Sequence, residues 1–176
     1  MQYTVHYTSP LGRMLLAADE QGLTGVWFEG QKYFAARLQA GHAQRETPVL
    51  AQAKRWLDGY FGGEQPGFTP PLHLEGTAFQ QRVWALLCAV PYGATVTYGQ
   101  LACQLARQGG GAPCAQAVGG AVGRNPVSVI VPCHRVVGAN GSLTGYAGGV
   151  QRKLQLLRLE GADAQKLFVP AKGTAL

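Results

Sequence analysis

Apolar and polar residues alternate at Tyr3, Val5 and Tyr7, the chain turns at Pro10-Leu11-Gly12, and apolar character resumes in RMLLAAD and LTGVWFE. Period-two alternation interrupted by turn residues predicts three adjacent strands. Thr47-Pro48 then offers a hydroxyl cap and a proline for a first helical turn, and Val49, Leu50, Ala53, Trp56, Leu57, Tyr60 and Phe61 follow at helical spacing. This stretch predicts a helix whose apolar stripe covers the sheet. GGEQPGFTPP is the richest run of glycine and proline before residue 100, so residues 62–76 read as a linker dividing 1–76 from 77–176.

Beyond Thr77 the pattern is helical: TAFQQRVWALLCAV sets Phe79, Val83, Leu86, Leu87 and Val90 on one side before Pro91-Tyr92-Gly93 ends it. Two short helices are predicted next, one over about Tyr98 to Arg107 and one opening near Pro113 and running to about Gly123, with Gly109-Gly110-Gly111 between them. Such a pair reads as a helix-turn-helix, although any helical hairpin has the same pattern. The second helix carries Ala115, Ala117, Gly119, Gly120, Ala121 and Gly123, leaving little to project except Gln116, Val118 and Val122. Each interior glycine costs a helix about 1 kcal/mol against alanine. A stripe of small residues serves close approach, whether to another helix or to a nucleic-acid backbone. After Asn125-Pro126 the β-branched run VSVIV predicts a buried extended segment that delivers Pro132-Cys133-His134-Arg135 at its end.

Composition adds a direction to this outline. A 47% apolar fraction in 176 residues suffices for a compact core, and only 14% of residues are charged. Residues 1–76 hold six basic and seven acidic side chains, a net −1, whereas residues 77–176 hold nine basic and two acidic, a net +7. A basic half beside a near-neutral one points to a polyanion such as nucleic acid, with the first half in support. No apolar run approaches the roughly 20 residues that span a bilayer, and MQYTVHYTSP is unlike a secretory leader, so no membrane role and a cytoplasmic location are expected. Cys88, Cys103, Cys114 and Cys133 show no zinc or disulfide spacing, which leaves room for a working thiol.

A cysteine followed by His and Arg at the end of a buried segment is a candidate nucleophile, since neighbouring cations favour the thiolate. Adjacent side chains on an extended segment point apart, so His134 is expected to reach the Cys133 sulfur through a water. Glu160, before the Gly161 stop of the helix in GGVQRKLQLLRLEG, is a candidate to orient that histidine, or else an ordinary exposed carboxylate.

The run Pro132-Cys133-His134-Arg135-Val136, together with PYGATVTYGQLA (91–102), AVGGAVGRNPVSVIVPCHRVVG (117–138) and TGYAGGVQRKLQLLRLEG (144–161), closely resembles the O6-alkylguanine-DNA alkyltransferases in order and spacing. The resemblance is strong over residues 77–161; over the first lobe it is one of length and strand pattern. It implies an α/β N-terminal lobe with a small, largely antiparallel sheet, plus a mainly α C-terminal domain with a winged-type helix-turn-helix. It also implies a monomer acting on double-stranded DNA, bound through the minor groove, with the damaged guanine flipped out and its O6-alkyl group moved irreversibly to Cys133; O4-alkylthymine is a further candidate substrate. Flipping is required because a stacked base cannot meet a sulfur in line. By the same resemblance His134 is the water-mediated base, Glu160 orients it, and Tyr98 gives a proton to the leaving guanine. Main-chain groups at Cys133, Val136 and Ala147 read the base, Tyr146 walls the pocket, and Asn125 ties the recognition helix to the active-site segment. Thr97, Ala115, Gln116, Gly119, Gly120, Val122 and Arg124 fall where the family meets DNA.

Two positions depart from the family pattern. Gln116 stands where an arginine usually enters the base stack, and a glutamine lacks the charge and the guanidinium plane, so weaker binding or slower flipping is expected. Ala147 replaces a serine of some relatives, with little consequence for a backbone contact. Some relatives hold a zinc ion in the first lobe; here no cysteine precedes Cys88 and His6, His42 and His73 are unpatterned, so neither metal nor cofactor is expected. Two other classes stay open: a non-enzymatic damaged-base recognition module that recruits repair factors, which resembles this family but lacks the cysteine, and a Cys-His hydrolase, which turnover of an ester or peptide would favour. The tail after Gly161 has little pattern and is expected to be mobile.

Overall fold

The computed structural model describes residues 1–171, which divide into two compact units. The first unit takes residues 1–75 and 126–130. Strands β1 (Tyr3–Ser9), β2 (Gly12–Ala18) and β3 (Leu23–Phe28) form the expected antiparallel meander, and a short β4 (Ala43–Gln44) adds in parallel to β1, giving the order β3-β2-β1-β4. Helix α1 (Pro48–Phe61) starts where its cap residues place it: the Thr47 hydroxyl accepts from Leu50 N, and Leu50, Ala53, Trp56, Leu57 and Tyr60 are buried. It packs against β1, β2 and β3. Leu15, Ala17 and Trp27 form a separate buried cluster closed by Ala35 and Leu38, which explains why β2 is buried from Met14 to Ala18 without alternation.

The linker is tied down at its end. Leu23 N donates to Pro71 O (2.7 Å), His73 N donates to Leu23 O (2.8 Å), and His73 Nδ1 lies 2.6 Å from Asp19 Oδ2. The VSVIV run corrects the extended reading. Val26 forms one short parallel bridge with Val127, Val26 N donating to Pro126 O and Ser128 N to Val26 O, after which the chain turns through Val129 at φ 70°. The segment is buried throughout, as expected, but a continuous apolar run has no period that distinguishes a strand from a buried turn.

The second unit takes residues 76–125 and 131 onward. Helices α2 (Ala78–Cys88) and α3 (Tyr98–Arg107) each open with a capping box, Thr77 with Gln80 and Thr97 with Gln100. Trp84, outside the expected stripe, is fully buried and donates from Nε1 to Ala121 O (2.9 Å), while Phe79 and Leu86 are only half-buried. Helix α4 (Ala115–Gly123) begins two residues later than Pro113, capped by the Cys114 sulfur. Two-residue strands β5 (Val96–Thr97) and β6 (Val136–Val137) pair in parallel, and α5 (Val150–Leu159) buries Lys153, Leu156 and Leu157. The tail carries more structure than expected, because Leu143 N donates to Phe168 O (2.9 Å) and Phe168 N to Gly141 O (3.2 Å); its last five residues, 172–176, lie outside the described residues. Among the described residues no helix is long and apolar enough to cross a membrane.

Candidate active site

The pairing of β5 with β6 brings together two distant stretches of sequence. Strand β5 runs straight into Tyr98, the first residue of α3, and β6 follows directly on a 3-10 turn formed by Cys133, His134 and Arg135. Cysteine and histidine therefore sit on a tight helical turn, not on the extended segment the sequence suggested, so the argument that they point apart does not apply here. Cys133 is buried. Burial pushes its thiol upward, opposed by a hydrogen bond from the Asn125 side chain and by the Lys153 charge.

Glu160 is the organising charge. Lys153, Leu156, Leu157 and Glu160 fall on one face of α5 and its end, which carries the carboxylate inward. Its Oε1 lies 2.7 Å from His134 Nε2, and Arg135 adds a two-pronged clamp, Nε to Oε2 and Nη2 to Oε1, both at 2.9 Å. Gly93 N donates to Oε2 as well (3.2 Å), and Arg135 Nη1 donates to Val90 O (2.7 Å). Burial alone would raise the Glu160 carboxyl, but these hydrogen bonds and charges hold it at about 2. Burial lowers His134 in turn, against the pull of Glu160 and with the push of Arg135 and Lys153.

Together these states fix a tautomer. An ionised carboxylate only accepts, so the proton of the neutral imidazole is on Nε2 and the lone pair is on Nδ1. The pair can take one proton at Nδ1 while Glu160 steadies the resulting imidazolium.

A second cluster surrounds Thr144. Its carbonyl accepts from the Tyr98 hydroxyl (2.9 Å) and from Lys153 Nζ (2.8 Å). Burial and the nearby Cys133 push Tyr98 up to about 12, so it keeps its proton at neutral pH; burial drops Lys153 to about 8. A cavity of about 480 Å3 opens beside this cluster, lined by Tyr98, Ala115, Gln116, Gly119, Gly120, Thr144 and Gly145.

The expected site residues thus separate into groups. Cys133, His134 and Glu160 are buried; Tyr98, Ala115, Gln116, Gly119 and Gly120 border the cavity; Val136 and Tyr146 are buried and Ala147 is half-buried. Asn125 donates from Nδ2 to Val131 O (2.9 Å), linking the end of α4 to the segment before the cysteine. Arg124 is exposed at the α4 cap, and the Thr97 hydroxyl is engaged in capping α3. Val122 is a correction: at 1% exposure it packs inward and offers DNA nothing. The sequence reading missed Lys153 and the clamping role of Arg135. Lys153 was detectable, since it precedes Leu156 and Leu157 by three and four residues and so shares their apolar face.

Residues 1–74 match the family model described as the 6-O-methylguanine DNA methyltransferase ribonuclease-like domain, and residues 78–162 match its DNA binding domain. A methylated-DNA–protein-cysteine methyltransferase of Mycobacterium leprae is 47% identical over 152 residues, covering 86% of this chain and 88% of the relative. One from Haemophilus influenzae is 42% identical over 159 residues, covering 90% and 86%. Among solved structures, Mycobacterium tuberculosis OGT in complex with DNA is similar at TM-score 0.76 and 41% identity, over 97% of this chain and 95% of that one.

Proposed function

The chain belongs to the 6-O-methylguanine DNA methyltransferase family, and we propose that it repairs double-stranded DNA by moving the alkyl group of O6-alkylguanine onto its own Cys133. The observation that carries this reading is the buried, ionised Glu160 fixing His134 on the same turn as a buried cysteine. A thiol held protonated by burial needs a base, and His134 Nδ1 supplies one, through a water. The sulfur attacks the alkyl carbon, the S–C bond forms as the C–O6 bond breaks, and the electron pair stays with guanine. Tyr98, kept protonated by burial, donates to the leaving base. In net terms the thiol proton ends on guanine and the alkyl group on sulfur; the thioether is not reversed, so each molecule acts once.

For this step the base must leave the stack, and we assign it to the cavity bordered by Tyr98 and the small residues of α4; the family resemblance adds Val136, Tyr146 and Ala147 as groups that read or wall the base. The helix pair α3–α4 meets the minor groove through Ala115, Gln116, Gly119 and Gly120, with Arg124 at its end. The +7 balance of residues 77–176 supplies non-specific attraction to phosphates.

The test is intact-protein mass spectrometry after mixing with a duplex that carries one O6-methylguanine, beside Cys133→Ser. A stoichiometric gain of one methylene, mapped to Cys133 and absent from the variant, is expected. Tight binding without a gain would instead favour a damage-recognition module. In the same assay Gln116→Arg tightens binding or speeds transfer, and an unchanged affinity and rate would remove the significance given to Gln116.

A further inference from the structure

Helix α2 grips the α3–α4 pair at two points. Trp84 donates to the α4 carbonyl of Ala121, and two residues earlier Arg82 Nη2 donates at 2.9 Å to both Leu105 O, in the last turn of α3, and Gly109 O, in the connection that follows. Gly109, Gly110 and Gly111 all lie in the left-handed region, at φ 96°, 89° and 88°. Three successive glycines have wide conformational freedom and cannot hold such a path by themselves. Leu105 O also accepts from Gln108 N (3.2 Å), so the guanidinium adds a second donor at this helix end and supplies one to Gly109 O, pinning the turn. Arg82 Nη1 is 3.4 Å from where a Cβ on Gly110 would sit, so the side chain lies along the turn.

We propose that Arg82 is a positioning residue for DNA binding: by bridging the end of α3 to the glycine turn it fixes where α4 begins, and with it how Gln116 and its neighbours meet the duplex. The inference rests on the DNA-binding reading of α4 given above. It separates two properties of the protein, because Arg82 is placed on the turn and its loss leaves the Cys133–His134–Glu160 chemistry intact. If the released turn holds the competent path about a tenth of the time, apparent affinity falls about tenfold.

The experiment measures two quantities for the full chain and for Arg82→Ala and Arg82→Lys. One is affinity for a duplex carrying O6-methylguanine, by fluorescence anisotropy in a Cys133→Ser background across a salt series. The other is the rate at which Cys133 is alkylated by the free base O6-methylguanine, by intact mass. Arg82→Ala is expected to bind duplex about tenfold more weakly with an unchanged salt slope, and to react with the free base at the rate of the unaltered chain. Arg82→Lys, whose ammonium lacks the planar fork, falls between. Unchanged duplex affinity overturns the proposal. So does an equal loss in the free-base reaction, which marks a general folding role, or a salt slope shallower by about one phosphate, which marks direct contact with DNA. Failure of the unaltered chain to bind duplex overturns the DNA-binding reading itself, and this inference with it.

Discussion

Among the described residues two histidine–carboxylate pairs are closer than 3 Å, one in each unit. His73 and Asp19 approach to 2.6 Å, and His134 and Glu160 to 2.7 Å. Distance does not distinguish them; surroundings do. Asp19 is partly exposed, spends its other oxygen on the backbone N–H groups of Gln21 and Gly22, and joins the linker to the start of β3. Glu160 is sealed, clamped from a second side by Arg135, and its histidine is next to a buried thiol. The first pair is a fastener, and the second is the one proposed to handle the thiol proton. A short contact becomes chemistry only where burial, a counter-charge and a reacting atom coincide.

Breaking the second pair gives the largest effect. Glu160→Ala leaves Arg135 buried without its partner, so a loss of about 3–5 kcal/mol is expected in denaturant melts. Glu160→Gln keeps the shape and isolates the chemistry: alkyl transfer slows by about 100-fold or more, read by single-turnover mass spectrometry. A rate within a factor of two would show that His134 needs no carboxylate.

Acid sharpens the contrast. His134 is held below its ordinary value of 6.5, so the unfolded chain binds its proton first and stability is lost as pH falls below 6.5. Glu160, at about 2 against 4.5, adds a further loss below 4.5. Asp19 is also lowered, so its contribution persists until pH falls below 3.8. Thermal melts between pH 7 and 4.5 should therefore lose stability in a manner that His134→Gln flattens and Asp19→Asn leaves alone. The smallest effect is expected from Asp19→Asn itself at neutral pH: about 1 kcal/mol in stability and no change in alkyl transfer.

Where the sequence was readable, the signals were local. Thr47-Pro48 announces α1 by chemistry confined to two residues; the capping boxes Thr77 with Gln80 and Thr97 with Gln100 are as local, although the sequence reading placed those helices by their apolar pattern instead. Cys133, His134 and Glu160 were legible through motif spacing, and Glu160 through its place at the end of an apolar stripe. Val129 was not, because its left-handed turn follows a bridge from Val127 to β3, far away in sequence. Lys153 and Arg135 escaped because charged residues are assigned to the surface by default, and only tertiary structure reveals the carbonyls and carboxylate that receive them. Arg82 is similar, since its partners lie more than twenty residues away.

The inclusion of residues 126–130 in the first unit has a consequence during synthesis. The edge of β3 that receives Pro126 and Ser128 is made some hundred residues before its partner segment leaves the ribosome. At about 5–20 residues per second, the nascent sheet waits on the order of ten seconds with that edge uncovered. Uncovered strands recruit other strands, so this interval is when the polypeptide is most exposed to mispairing. Codon choice and chaperone occupancy over residues 76–130 therefore bear on how long that edge stays open.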